Sequence, residues 1–187
     1  LLFFFKYFNS LLASSSLVTQ FLQSTGGRLL VPVGLSFFTL QNISYLVDVY
    51  KGIQPAEKHA GIFALYTSFF PKVLAGPVER AKSLLPQLHN PAGYNKQNVF
   101  EAIPLILFGL FKKVVIADRL ALYVDKLFNE TGKNQGVAVW YGLVFLSFQI
   151  YLDFSGYTDL ALGAARLLGI KLTPNFKRPY LSENIVE

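Results

Sequence analysis

The sequence predicts an all-α, polytopic transmembrane helical bundle whose helices are in part broken or re-entrant. Three features carry that reading. Hydrophobic residues make up 52% of the 187-residue chain and charged residues only 15%, against roughly 25% charge in ordinary soluble domains. Apolar runs near the length of a bilayer span recur without the strict alternation that a membrane β-barrel requires. Proline and glycine punctuate those runs from within. Such breaks persist at membrane depth only where protein or a water-filled cavity satisfies the freed backbone groups.

Five stretches are expected to be embedded: 1–22, 29–50, 60–76, 99–122 and 136–165, together a single transmembrane domain over 1–187. The first is LLFFFKYFNSLLASSSLV with its continuation, which lacks the basic leader and small-residue cleavage site of a signal peptide. Pro32 and Gly34 open the second. Pro71 interrupts the third, and Pro104 with Gly109 marks the fourth. At least one helix break is expected at Pro32, Pro71 or Pro104. The 18 phenylalanines and 10 tyrosines fit rings lining a membrane–water boundary. Without cysteine there is neither a disulfide framework nor a thiolate metal site. His59 and His89 sit in unlike loop contexts, so no metal constellation is expected.

The net charge of +6 is scattered through connections. It reads as membrane anchoring and not as a nucleic-acid surface. If all five stretches alternate across the bilayer, 77–98 and the C-terminal tail fall on the more basic, cytoplasmic side.

The stretch FQIYLDFSGYTDL (148–160) places two carboxylates at the end of an apolar run. A lipid-facing carboxylate costs several kcal/mol, so such groups turn toward a bundle interior or cavity. On one helix Gln149, Asp153 and Tyr157 share a face, with Ser155 and Asp159 adjacent. Gly156 and Gly163 supply a small-residue surface for close helix approach. The bland alternative is a helix end emerging at the interface. Lys112, Lys113, Asp118 and Arg119 in LFGLFKKVVIADRLALY are read as a surface excursion with snorkelling side chains. Arg80 and Lys82, in AGPVERAKSLLPQLHNP, would favour phosphate head groups or an anionic cofactor. Asn175, Lys177 and Arg178 beside Phe176 and Tyr180 form either an interfacial connector or the lip of a cavity that orients a charged substrate.

Five segments in this order, VPVGLSFFTLQNISYLVDVYKG (31–52), FFPKVLAGPVER (69–80), FGLFKKVVIADRL (108–120), FQIYLDFSGYTDLALGAARLLGI (148–170) and NFKRPYLSENIVE (175–187), resemble the membrane-bound O-acyltransferase (MBOAT) family in its bacterial alginate O-acetyltransferase branch. The resemblance implies a multi-pass protein of the cell inner membrane that moves an acyl group, acetyl in the nearest branch, from a cytoplasmic donor to hydroxyls of a polysaccharide. The donor would be a co-substrate, acyl-CoA or an acyl-carrier thioester, with no bound cofactor. Membrane lipids, a polysaccharide acceptor and other envelope-polymer acetylation proteins are the implied partners; nucleic acid is not. The family's catalytic histidine belongs to a segment expected beyond Glu187, so no catalytic residue is assigned, and the chain alone is expected to be an inactive fragment. Gln149, Asp153, Tyr157, Asp159, Asn175 and Arg80 are the chamber-lining or substrate-binding candidates. For Asp153 two roles stay open, contact with substrate or bracing of neighbouring helices, the second favoured. A transporter or channel using intramembrane aspartates, or a noncatalytic scaffold, are the competing classes.

Overall fold

The structure is a computed structural model describing residues 34–73, 76–77, 79–93, 95–129, 136–176 and 180. The predicted segment 1–22, Pro32, and the basic pair Lys177 and Arg178 lie outside the described residues. Among the described residues every regular element is helical: α1 (Leu35–Tyr50), α2 (Ala60–Ser68), α3 (Phe70–Val73), α4 (Ala81–His89), α5 (Lys96–Leu110), a π-helical segment (Phe111–Ala117), α6 (Asp118–Asn129) and α7 (Val137–Leu167).

The dominant unit is an antiparallel hairpin. One arm runs without interruption from Lys96 to Asn129 through α5, the π segment and α6; the other is α7. Ala102 stands against Gly163, Gly109 against Gly156, and Leu127 against Gly142. Asn95 starts the first arm by accepting the Gln97 N–H at 2.9 Å, satisfying one of the orphan donors of a first turn. Pro104 lies inside α5 and does not break it. α7 is, among the described residues, the helix long and apolar enough to cross a membrane. Its first half presents Val137, Trp140, Tyr141, Leu143, Val144 and Phe148 outward, as lipid contact requires.

The smaller unit packs α1, α2 and α4 around Tyr45, Tyr66, Phe69, Leu84, Leu85 and Leu88, and reaches the end of α7 through Ala165 and Ile170. Gln41 on α1 donates to the Tyr66 carbonyl at 3.0 Å. That carbonyl lies near the end of α2, which stops at Ser68, so the bond uses an acceptor that the helix leaves open. α1 and α7 both end on a glycine in left-handed conformation, Gly52 and Gly169. The next amide returns to the helix in each case, Ile53 to the Asp48 carbonyl and Ile170 to the Ala165 carbonyl, both at 2.9 Å.

Connections from three parts of the chain meet on one side of the hairpin. Glu57, after α1, contacts His89, at the end of α4, at 2.7 Å. Gln87 and the backbone of Lys171 exchange hydrogen bonds of 3.0 and 2.8 Å. Glu79 accepts from both the backbone N–H and the hydroxyl of Thr173, at 2.7 and 3.1 Å. Both ends of α4 therefore hold the chain that leaves α7. The connections 51–59 and 81–89, which flank 60–76 in the chain, thus meet through Glu57 and His89. The nine residues of α2 cover only about 13 Å, less than half of a hydrocarbon core of about 30 Å. The helix break predicted at proline falls before Pro71, where α2 stops at Ser68 and the four-residue α3 begins at Phe70.

Candidate functional site

Glycine lets the hairpin arms approach closely enough for short polar contacts. A Cβ at Gly156 would stand 2.9 Å from the Gly109 carbonyl oxygen, and one at Gly109 would stand 2.7 Å from the Gly156 oxygen. Beside this crossing lies Lys112, on the π segment. Its Nζ donates to Ser155 Oγ at 2.9 Å and to Asp159 Oδ2 at 2.7 Å, and sits 4.5 Å from the Phe108 ring centroid. The two charged side chains are only 14% and 17% exposed. A pair so enclosed is screened far less than a surface one.

The next residue, Lys113, also turns to α7, pairing with Asp153, and reaches Asp118 Oδ1 at 2.9 Å. In an α-helix adjacent side chains diverge by about 100°. The wider π turn, a feature frequent at functional sites, brings both lysines to the facing helix. Arg166 and Glu101, 3.2 Å apart, close a third cross-helix pair near the connection-rich end. Every acid on α7 thus has a cation on the opposite arm, which is how charge becomes tolerable inside an apolar helix pair.

The six predicted site residues divide into two groups. Gln149, Asp153, Tyr157 and Asp159 all lie on α7. Asp153 and Asp159 are held by lysines, and Gln149 Oε1 is buried with no hydrogen-bond partner. Tyr157 is half-buried. Arg80 and Asn175 are exposed and belong to the connections joined by the Glu79–Thr173 contact. The structure does not gather the six into one constellation. The lysines read as snorkelling are corrected: Lys112 and Lys113 point into the hairpin. A lysine pair inside one apolar run and two aspartates inside another are complementary charges, and matching them was the signal available in the sequence.

Sequence reasoning also passed over two polar groups in the smaller unit. Glu79 is buried and fully engaged by Thr173. Lys72 is buried with its Nζ 4.3 Å from the Tyr66 ring centroid and without a hydrogen-bond partner, an arrangement in which the ring face substitutes for a counter-ion. His59 caps α2, its Nδ1 accepting from the Ile62 N–H at 3.3 Å. Among the described residues no group of three His, Cys, Asp or Glu could hold a metal ion.

Residues 59–187 match the model of MBOAT, the membrane-bound O-acyltransferase family. The chain belongs to this family. It is 39% identical over 160 residues to a probable alginate O-acetylase of Pseudomonas putida, covering 86% of this chain and 33% of the relative. A peptidoglycan O-acetyltransferase of Helicobacter pylori is 36% identical over 211 aligned positions, covering 99% of this chain and 40% of the relative. A teichoic acid D-alanyltransferase of Bacillus subtilis is 22% identical, over 82% of this chain and 39% of the relative. The chain spans about a third to two fifths of the length of these relatives. As an MBOAT member it is a membrane protein, and the hairpin with its paired charges lies wholly within the matched residues.

Proposed function

We propose that this chain belongs to an O-acyltransferase that carries an acyl group, acetyl in the first instance, from a thioester donor to hydroxyls of a cell-envelope polysaccharide. The thioester C–S bond breaks, an ester C–O bond forms, and the hydroxyl proton leaves with the released thiol. The observation that carries the reading is the match across residues 59–187, with relatives named for O-acetylation of alginate and of peptidoglycan at 36–39% identity. Alginate and peptidoglycan are then the first acceptors to test.

The geometry supports a bracing role for the hairpin in that enzyme. Asp153 and Asp159 hold lysines instead of standing open as acids, and their contacts fix the register of two long helices. In the same reading the protein is multi-pass in the inner membrane, and 60–76 enters and leaves on one face. That face gathers Lys51, Lys58, Arg80, Lys82, Lys96 and Lys171, whereas the α6–α7 end carries Lys126 and, within its connection, Lys133. The positive-inside rule makes the basic face cytoplasmic, where a thioester donor is available. Acyl-CoA and acyl-carrier thioesters are the donor classes to compare. The acceptor polymer, the lipids and further acetylation proteins are its partners.

The test is complementation. Cells lacking the gene receive the complete gene, and ester-linked acetate released from isolated envelope polymers by mild base is quantified. Restored polymer acetylation is expected, and complementation that leaves every envelope polymer unacetylated while the protein is in the membrane overturns the proposal.

A further inference from the structure

The basic face holds a cavity of about 350 Å³ between the loop after α1 and the first two turns of α4. Its walls are largely apolar, from Ile53, Pro55, Ala56, Leu85 and Pro86. Its polar features favour negative charge. Lys82 lines it and makes no ion pair among the described residues. Gln54, nine-tenths buried, lines it as well, and its Nε2 has no hydrogen-bond partner. An unmet buried amide donor is destabilising, and an incoming acceptor oxygen relieves it. The cavity also abuts Ala81 and Lys82, the first residues of α4, where Arg80 provides no side-chain cap. Uncapped first-turn N–H groups and the positive helix end attract anions.

One carboxylate, Glu57, lines the same cavity. It is already committed, accepting from the His59 N–H at 2.8 Å and pairing with His89 Nε2 at 2.7 Å. The remaining charge is therefore cationic, above an apolar floor.

From this the geometry points to a binding site for an amphiphilic anion, a phosphate ester bearing an apolar chain. The phosphate lies against Lys82 and the start of α4, where a rotation of the Gln54 amide brings the enclosed Nε2 to it, and the chain lies against Ile53, Leu85 and Pro86. The site uses none of the hairpin residues; its soluble alternative alone rests on the acyl-transfer reading, whose donor classes include acyl-CoA. Two sources supply such a ligand: an anionic lipid of the adjoining leaflet, or a soluble phosphate ester.

The test uses the complete gene product in neutral detergent, with binding followed by native mass spectrometry and by titration. The probes are dihexanoyl phosphatidic acid, dihexanoyl phosphatidylcholine, inorganic phosphate and coenzyme A. Phosphatidic acid is expected to bind. Lys82→Glu, and Ala56→Trp which fills the cavity, should each weaken it at least about tenfold, the scale of one charge-assisted contact. Lys51→Glu, on the same face outside the cavity, should leave it within about twofold. An unchanged thermal midpoint in each variant shows that the fold is intact; where Ala56→Trp lowers it, Lys82→Glu alone decides. Equal binding of phosphatidylcholine, or phosphatidic acid binding unchanged by Lys82→Glu, overturns the site. Inorganic phosphate or coenzyme A binding as tightly as phosphatidic acid overturns the lipid source and assigns the soluble one.

Discussion

Replacing Lys112 by methionine removes the hub of the hairpin while keeping most of its apolar stem. The Nζ lost has two short contacts, 2.7 Å to Asp159 and 2.9 Å to Ser155, and a ring face 4.5 Å away. With the Asp159 side chain only 17% exposed, its carboxylate cannot recover its hydration where it stands. Breaking a buried pair by removing one partner costs about 3–5 kcal/mol, a factor of about 140 to 3,700 in a folding equilibrium at 1.4 kcal/mol per tenfold. Asp159→Leu alone should cost a similar amount by stranding the ammonium. The double variant, Lys112→Met with Asp159→Leu, leaves no charge behind and should recover most of the loss, because a well-packed apolar pair often matches a buried ionic one. Unfolding of the complete gene product in mixed micelles, titrated with a denaturing detergent, measures all three against the parent. Additive losses in the double variant, or single variants within about 0.5 kcal/mol of the parent, would refute the pairing as the element that holds the arms together.

Gly156→Leu should destabilise the same hairpin by about 1–3 kcal/mol, since even its Cβ meets the Gly109 oxygen at 2.9 Å; the detergent titration reads this, and Gly136→Ala, at φ +63° with open space where its Cβ would stand, gauges backbone strain alone. Glu57 has its pKa lowered, first by the His59 backbone N–H and then by His89. A carboxylate depressed on folding contributes stability above its unfolded value and loses it as pH falls through the folded value. Hydrogen exchange in 51–59 should therefore accelerate only below the ordinary glutamate range, and Glu57→Gln should remove that acid-induced step. Tyr180→Phe deletes the hydroxyl that donates to the Ser147 carbonyl at 2.8 Å and meets its Oγ at 2.7 Å. It should cost about 0.5–1.5 kcal/mol and raise the rate of proteolysis after α7, with no change at sites in α4.

The helical face of Gln149, Asp153 and Tyr157 and the close approach at Gly156 and Gly163 were legible in the sequence, because both follow from the period of a helix. What those groups touch was not. Lys112 and Asp159 are 47 residues apart, and nothing local to either run names the other. The π segment was equally hidden, since FKKVVIA carries no proline or glycine to announce a change of winding. The contact between 51–59 and 81–89 was hidden for a different reason. Hydropathy measures how apolar 60–76 is, and says nothing of the Glu57–His89 contact that joins the connections on either side of it. Arg80 and Asn175 were chosen by residue type and surroundings. Both are exposed and lie in connections, outside the hairpin that holds the other four.

The cross-helix pairs bear on how the protein is made. Lys112 and Lys113 are synthesised first and reside on one arm; Asp153 and Asp159 come later and reside on the other. Neither arm is a self-sufficient passenger into lipid, because each alone carries unneutralised charge near its middle. Paired, their opposite charges meet. Residues 96–167 are therefore the shortest stretch that brings each of these charges its partner.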